Sequence, residues 1–345
     1  MKLLDKIQNG VYTIAEMSAN HAGKLENALE IVRAAKKAGA DCLKIQTYTA
    51  DSLTIDCDNE YFKIKGGLWD GYSLYQLYSE AATPYEWQTE IKAECERVGI
   101  DFLSTPFDRA SVDFLETLGV EAYKVASFEL VDIPLIRYIA KQGKPMIVSC
   151  GMGSMEEIQD AMDAMLGEGL SRGKIILLKC TSEYPAETKD MNLRTIADMI
   201  ERFGVIVGLS DHSIGTLAPI TAVALGAKVI EKHFCLSRDL KNPDSDFSTE
   251  PAEFAEMTNS VRQAYEARGV ESYGPGDAEK SNLAYRRSIF AIEDIRMGDI
   301  FCNDNTRIIR PGAGLQPKYY DALIGSASKT NYRKGMPILM NEVTE

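Results

Sequence analysis

Eight short apolar segments recur along the chain before residue 235, and each is rich in Val, Ile, Leu or Phe. Uninterrupted apolar runs of this length are typical of strands that are buried on both faces. We therefore predict strands at residues 12–15, 42–46, 101–104, 122–125, 145–149, 175–179, 206–209 and 228–232.

The segments between these strands show the periodicity of amphipathic helices. Most of them end at or near a glycine, which is a common signal for the end of a helix. Ser154, followed three residues later by Glu157, also predicts a capping box. The predicted helices are 25–38, 112–118, 155–166, 193–203, 217–225 and 254–267.

The alternation of eight strands with helices predicts an α/β fold, a TIM (β/α)8 barrel over residues 1–271. A doubly wound open sheet is the structural alternative. It is disfavoured because no G-x-G-x-x-G follows the first strand and because eight units suit closure better. The connection at 47–83 is unusually long, so we expect it to be functional.

The remainder of the chain does not continue the alternation of strands and helices. Residues 272–285 are polar and rich in turn formers, which predicts a linker. Residues 286–345 contain short β-like segments and a weak internal repeat, in which RMGDIF at 296–301 resembles RKGMPI at 333–338. We predict a small β-rich C-terminal domain there.

Composition narrows the choice of partners and compartment. The net charge of −13 predicts no nucleic-acid partner and no membrane partner, because such a surface repels phosphates and anionic headgroups. The seven scattered cysteines include no C-x-x-C pair, which predicts reduced thiols and a cytoplasmic location. No signal peptide and no membrane-spanning run is recognised. An anionic ligand would require cations gathered at one place.

Three histidines are present, and two of them follow neighbouring predicted strands: His212 in SDHS and His233 in EKHF. Adjacent strands lie about 4.8 Å apart, so both imidazoles can reach one divalent metal such as Mn²⁺, Mg²⁺ or Co²⁺. The alternative is two buried, hydrogen-bonded histidines. His21, in SANH, is either a further ligand or a loop residue that orders a turn.

Lysines interrupt three predicted strands, at Lys44, Lys124 and Lys179. A lysine in a barrel strand is costly unless an anion meets it. Alternate strands contribute to the same interior layer, so the three lysines predict one anionic site for phosphate or carboxylate. The alternative is that acids pair with these lysines, for example Glu16, Glu129 or Glu231.

Further polar groups follow the strand ends, where the active sites of barrels are built. Hydroxyls stand at Thr105, Ser127, Ser149 and Ser182. The glycine turn C-G-M-G-S at 150–154 can offer N–H groups to an anion. Six further side chains at this rim are candidates for proton transfer, for sugar binding or for support of a neighbouring side chain: Glu16, Gln46, Glu129, Tyr184, Asp211 and Asp244.

Several segments together resemble the sialic acid synthase family over nearly the whole chain. The matching text is IAEMSANH (14–21), GADCLKIQTY (39–48), STPFD (104–108), YKVASFE (123–129), KPMIVSCGM (144–152), LLKCTSEYP (177–185), GLSDHSIG (208–215), EKHF (231–234) and PDSDFS (243–248). The tail resembles the antifreeze-like SAF domain through RRSI (286–289) and RPGAG (310–314). SANH, GLWDG (67–71) and KCTSEYP resemble the pseudaminic acid synthase branch.

The resemblance implies a TIM barrel with a SAF domain, in a homodimer that swaps the SAF domain onto the partner's active site. It implies condensation of phosphoenolpyruvate (PEP) with 2,4-diacetamido-2,4,6-trideoxy-L-altrose and water, giving pseudaminic acid and phosphate. It places PEP on Lys44, Thr105, Lys124, Ser127, Ser149 and Ser182. It places the metal on His212 and His233, and the sugar on Glu16, Gln46, Tyr184, Asp244 and Arg310 of the partner subunit.

Some alternatives stay open at the level of the sequence. The catalytic proton can be carried by Glu16 or by Glu129. Trp69, Tyr72 and Tyr75 in the long connection can contact the sugar or form a small loop core. Legionaminic acid or N-acetylneuraminate synthesis would use the same PEP chemistry, whereas a Schiff-base aldolase and a non-catalytic sugar-binding protein are different classes.

Overall fold

The structure is a computed structural model that describes residues 2–66 and 69–342. It divides into two compact units, Met1–Gly269 and Val270–Glu345. The domain limits predicted from the sequence, with a linker at 272–285, stay a prediction. Across the described residues, no helix is both long enough and apolar enough to cross a membrane.

The first unit contains eight strands at the predicted places, each within a few residues of the predicted bounds. They are β1 (Tyr12–Glu16), β2 (Cys42–Thr47), β3 (Asp101–Pro106), β4 (Tyr123–Val125), β5 (Met146–Ser149), β6 (Ile175–Cys180), β7 (Ile206–Asp211) and β8 (Val229–His233). All the pairings between them are parallel, and β1 pairs with both β2 and β8. The ladder runs β3-β2-β1-β8-β7-β6-β5-β4, and β3 lies beside β4 to complete the ring. The predicted TIM-like barrel is confirmed.

The first unit also contains helices that pack on the ring or lie in its connections. They are α1 (Lys2–Asn9), α2 (Leu25–Lys37), α3 (Ala50–Leu53), α4 (Leu74–Ala81), α5 (Tyr85–Val98), α6 (Arg109–Leu118), α7 (Ile133–Ala140), α8 (Met155–Gly167), α9 (Thr195–Phe203), α10 (Leu217–Ala224) and α11 (Pro251–Arg268). The predicted capping box of Ser154 and Glu157 is present at the start of α8. The long connection at 47–83 is not without structure, because it contains α3 and α4.

Two apolar layers hold the barrel together. Inward-facing residues of the strands, such as Ile14, Ile147 and Ile176, fill the barrel, and Leu3 and Ile7 of α1 pack against them. The outward faces of the strands pack against the helices in a larger cluster. Because the interior is filled by apolar residues at this level, the polar strand ends can gather only at the opposite, carboxyl end.

The second unit is small and rich in turns. Strands β9 (Ser288–Ala291) and β10 (Thr306–Ile309) form an antiparallel pair, and the short helix α12 (Tyr320–Leu323) follows. Its core includes Ile289, Phe301, Tyr332 and Ile338. The repeated sequence pattern has a structural counterpart, since each copy turns at a glycine with positive φ, at Gly298 and Gly335.

Candidate functional site

Lys44, near the middle of β2, is buried among acidic and hydroxyl groups. Its Nζ lies 2.5 Å from Glu16 and 3.5 Å from Glu231, and it donates a hydrogen bond to Thr105 Oγ1 at 3.3 Å. Burial by itself lowers the pKa of Lys44, but Glu16 and Glu231 together raise it above the ordinary value. The alternative in which acids pair with the strand lysines is therefore realised here.

Lys124 on β4 joins the same cluster through a shared acid. Its Nζ donates to Ser149 Oγ at 2.7 Å and to the Val125 carbonyl at 3.1 Å, and it lies 3.7 Å from Glu231 Oε1. Burial lowers the pKa of Lys124. Burial raises the pKa of Glu231, but Lys124 and Lys44 outweigh that effect and lower it. Glu231 is therefore an anionic bridge between two ammonium groups.

Sequence reasoning considered Glu231 only as a partner for a lysine. It is 6% exposed, and its Oε2 accepts no hydrogen bond from the residues that the structure describes. Its position at the start of EKHF, in the middle of β8, is a signal that could have been used, because an acid in a buried strand needs a cation opposite it.

Gly151 brings two predicted hydroxyls together. Its N–H donates to Ser127 Oγ at 3.0 Å. A Cβ at this position would lie 2.2 Å from Ser182 Oγ and 2.7 Å from Ser127 Oγ, so only glycine fits between them. The glycine turn was expected to offer open N–H groups to an anion, whereas the N–H of Gly151 already serves to hold Ser127.

Lys179 on β6 differs from the other two lysines, because it follows the outward-facing Ile175 and Leu177, and the prediction that it shares an interior site with them is wrong. Its Nζ donates to the Cys180 carbonyl at 2.7 Å, and it forms no ion pair with any residue that the structure describes. Burial lowers the pKa of Lys179. The neighbouring Cys180 Sγ lies 3.7 Å from Ser182 Oγ and 3.8 Å from His212 Nδ1. Burial raises the pKa of Cys180, but hydrogen bonding with His212 lowers it to about 7.

The two histidines predicted as a pair do face one another. The ring centroids of His212 and His233 are 5.5 Å apart. His212 Nδ1 lies 2.9 Å from the Thr181 carbonyl, whereas His233 Nδ1 has no hydrogen-bond partner within the described chain. Burial, together with His212, lowers the pKa of His233 far below its usual range, so its ring is neutral near pH 7.

A buried ion pair fixes the two segments that carry these histidines. Asp211 and Lys232, the residues immediately before His212 and His233, are register partners, with Lys232 Nζ 2.5 Å from Asp211 Oδ2. Asp211 Oδ1 also accepts hydrogen bonds from the Ser213 backbone at 2.9 Å and hydroxyl at 2.7 Å. Neighbouring residues along a strand point to opposite faces, so this pair sets the alignment of β7 and β8 without occupying the site.

His21 has a local role in this structure. Its Nδ1 accepts a hydrogen bond from the Gly23 N–H at 3.1 Å, and its ring packs edge-on against Trp87 at 5.5 Å. It thereby orders the turn after β1. No group of three or more His, Cys, Asp or Glu side chains arranged to hold a metal occurs among the described residues.

Two carboxyl groups near the lysines have raised pKa values. Glu16 Oε1 accepts a hydrogen bond from Gln46 Nε2 at 3.2 Å, and burial raises the pKa of Glu16 although Lys44 opposes the shift. Burial likewise raises the pKa of Glu129 to about 7, with the charge of Lys124 acting in the opposite direction. One oxygen of Glu129 is buried without a hydrogen-bond partner in the described structure.

The predicted sugar contacts border the histidines. The Tyr184 ring lies 4.3 Å from the His212 ring. Asp244 Oδ2 accepts a hydrogen bond from the Ala19 N–H at 3.1 Å and lies 4.0 Å from His233 Nδ1. Burial raises the pKa of Asp244. These side chains and the lysine cluster occur at the same ends of the same eight strands.

Arg310 belongs to the second unit, where it is exposed directly after β10. Its predicted contact with the sugar in a partner subunit stays a prediction. The motif GLWDG lies partly outside the described residues, since residues 67 and 68 are not described.

The chain is similar to known protein families over most of its length. A model of the NeuB family matches residues 31–273, which is most of the chain. The chain belongs to the NeuB family. A SAF domain model matches residues 286–344, as the tail predicted. The family resemblance seen in the sequence is thereby confirmed.

Relatives within the NeuB family support the predicted branch. A pseudaminic acid synthase of Campylobacter jejuni is 47% identical over 325 residues, 94% of each chain. An N,N'-diacetyllegionaminic acid synthase of Legionella pneumophila is 34% identical over 336 residues, 96% of this chain and 94% of that protein. The resemblance to the pseudaminic acid synthase branch is confirmed by this difference.

A solved NeuB-type structure shares the fold. The N-acetylneuraminic acid synthetase of Leptospira borgpetersenii, in complex with citrate, superposes with a TM-score of 0.72 at 30% identity. The match covers 80% of this chain and 90% of that one.

Proposed function

We propose that this enzyme condenses PEP with 2,4-diacetamido-2,4,6-trideoxy-L-altrose and water to give pseudaminic acid and phosphate. One observation carries the proposal: two buried lysines share Glu231 at the barrel end where His212 and His233 face each other. This arrangement provides cations for an enol phosphate next to two imidazoles that can bind a metal. The similarity to pseudaminic acid synthases selects the sugar.

The cation cluster suits a trianion in a chain whose net charge is −13. Lys179 is not part of this cluster, because it lies on the outward face of β6 with Ile175 and Leu177. Lys44 and Lys124 are already held in place by acids and hydroxyls, so binding does not require them to be ordered first. We assign PEP to Lys44, Thr105, Lys124, Ser127, Ser149 and Ser182.

The two histidines fit a divalent metal. His212 uses Nδ1 towards the Thr181 carbonyl, which leaves Nε2 for a ligand, and His233 has a buried Nδ1 without a partner in the described chain. Neutral imidazole is the form that binds a metal. A bound Mn²⁺, Mg²⁺ or Co²⁺ would supply Lewis acidity towards the carbonyl oxygen of the sugar. With two protein ligands, room remains for substrate and water.

The reaction balances without a further reactant. PEP C3 forms the new C–C bond to the aldehyde carbon, whose oxygen takes a proton. Water adds to C2 and gives up its protons, and the C–O bond to the phosphoryl group breaks to release phosphate. Glu16 and Glu129 are the candidates for proton transfer, because a carboxyl with a pKa near 7 exchanges protons readily at neutral pH.

The sugar lies, in this proposal, along Gln46, Tyr184 and Asp244. We further propose a homodimer in which Arg310 of the partner subunit completes the site. Four exposed apolar side chains on the segments after β4 and β5 support an interface: Phe128, Val131, Met152 and Met155. All seven cysteines are free, which agrees with the proposed cytoplasmic location.

Mass spectrometry of the products from PEP and a panel of aldoses tests the proposal. We expect turnover of the altrose-configured diacetamido sugar with one phosphate released per product, and loss of turnover in chelator. Turnover of N-acetylmannosamine alone would refute the choice of sugar. Trapping of pyruvate by borohydride, with full activity in chelator, would instead identify an aldolase that forms a Schiff base.

A further inference from the structure

A cavity adjoins the candidate site at the rim of the barrel. It has a volume of about 520 Å³ and lies between the turn after β1, the long connection after β2 and the segment after β8. Its walls include Ala19, Ala22, Trp69, Tyr72, Asn242 and Pro243. This volume is within the range of cavities that bind small molecules.

Trp69 and two neighbouring walls connect this cavity to the site. The indole N–H of Trp69 donates to the Pro243 carbonyl at 3.0 Å, and its ring lies 5.8 Å from that of Tyr184. Pro243 immediately precedes Asp244, and the Ala19 N–H donates to the Asp244 carboxylate. Two cavity walls, Pro243 and Ala19, are therefore joined to Asp244, the first by a peptide bond and the second by a hydrogen bond. Asp244 is one of the residues that we assign to the sugar.

The chemistry of the cavity favours a neutral group that carries methyls. Trp69 and Tyr72 supply aromatic surface, and the alanines supply small apolar surface. Among the charged residues that line it, Lys241 pairs with Asp246 at 2.8 Å, which leaves the carboxylate of Glu80. A net negative rim repels the phosphate and carboxylate of PEP, so the cavity suits the uncharged substrate.

We propose that this cavity binds the far end of the open-chain sugar, with the 4-acetamido group and the 6-methyl group against Trp69. The proposal rests on the proposed function, because the aldehyde end must then lie at the histidines and the rest of the chain must extend away from them. N-Acetylmannosamine has hydroxyls at both of these positions. Trp69 is therefore a residue that determines specificity for the diacetamido sugar.

Tryptophan fluorescence gives a direct test, because the chain has only two tryptophans, Trp69 and Trp87. Trp87→Phe leaves Trp69 as the single indole and keeps an aromatic ring against His21. We expect the diacetamido sugar to change the Trp69 emission saturably, with a midpoint near its KM, and N-acetylmannosamine to leave it nearly unchanged. No response to the diacetamido sugar while it is turned over would overturn the inference and leave the proposed function intact.

Kinetics of Trp69→Ala provide the second arm. Loss of an apolar wall should raise the KM for the diacetamido sugar about tenfold or more, with kcat changed about twofold at most. Trp69→Phe should recover most of the loss, and Tyr61→Phe, which removes only the hydroxyl of an exposed tyrosine, serves as the matched control in the same connection. An unchanged KM in a folded Trp69→Ala chain would contradict the inference. Failure of the unaltered enzyme to use the diacetamido sugar would instead contradict the proposed function.

Discussion

Removal of the charge that bridges the two buried lysines should weaken the fold and strengthen anion binding at the same time. Glu231→Gln keeps the shape of the side chain. Lys44 retains its ion pair with Glu16 at 2.5 Å, but Lys124 loses its carboxylate at 3.7 Å. The two ammonium groups then face a neutral amide, and the repulsion between them is no longer offset.

The magnitude follows from these distances. At an effective dielectric constant of about 20, a contact near 4 Å is worth about 4 kcal/mol before desolvation is counted. Breaking a buried pair by removing one partner costs about 3–5 kcal/mol in measured cases. We expect Glu231→Gln to lower the free energy of unfolding by about 3 kcal/mol in the absence of anions.

PEP or phosphate should take the place of the missing carboxylate. We therefore expect PEP to bind Glu231→Gln at least about tenfold more tightly than the unaltered chain, which corresponds to about 1.4 kcal/mol. Saturating PEP should then restore part of the lost stability. Urea denaturation with and without PEP, and calorimetric titration of PEP, measure the two effects.

Glu187→Gln provides the control, because Glu187 forms an exposed ion pair with Lys189 and such pairs contribute little. If Glu231→Gln had the stability of the unaltered chain, or bound PEP more weakly, Glu231 would not be the anionic bridge that balances the lysines.

Three further predictions concern other parts of the site. Burial raises the pKa of Glu129 from 4.5 to about 7, so the stabilising effect of this carboxyl is complete below pH 4.5 and is lost as the pH rises through 7. Glu129→Gln should therefore remove about 3 kcal/mol from the pH dependence of the free energy of unfolding, measured by denaturation at a series of pH values. Parallel pH curves for the two chains would exclude this effect of Glu129. Lys232→Met leaves Asp211 buried without its cation, so it should lower the free energy of unfolding by about 3–5 kcal/mol and weaken the binding of Mn²⁺ measured by calorimetry. The double variant Lys232→Met with Asp211→Leu should recover much of the stability. Equal losses of stability in the two variants would argue against a role for the ion pair. If Arg310 acts across a dimer, an equal mixture of Arg310→Ala and His233→Ala chains, refolded together, should regain about a quarter of the activity, because one of the two sites in each heterodimer is intact. No recovery of activity would show that Arg310 acts within its own chain.

The barrel could be predicted from the sequence because its strands are buried on both faces. Several of these strands are apolar runs that end at a polar group, as with Asp211 on β7 and His233 on β8. Those polar ends had to meet at one rim, since parallel strands share their direction. The pairing of His212 with His233 followed from the order of the strands.

Helix α1 was harder to predict. Its eight residues, KLLDKIQN, offer too few turns for periodicity to be distinctive. It is fixed instead by Leu3 and Ile7, which pack against the interior of the barrel. The predicted helices also lacked α3, α4, α5 and α7. Short helices in a long connection, such as α3 and α4, depend on tertiary contacts.

The charge balance inside the site could not be derived from the sequence. The spacing of Lys44, Lys124 and Lys179 predicted a common anion site, yet Glu231 pairs with the first two and Lys179 lies on the outward face of β6. Which acid meets which lysine depends on distances across the barrel, and these distances are set by register and tilt rather than by local sequence.

The central claim is that PEP reacts at this rim with cleavage of its C–O bond. PEP labelled with heavy oxygen at the bridging position tests it most directly, with the phosphate and the sugar acid both examined by mass spectrometry. We expect the label to leave with phosphate and the new C2 oxygen to come from water. Label retained in the sugar acid, with unlabelled phosphate, would contradict it.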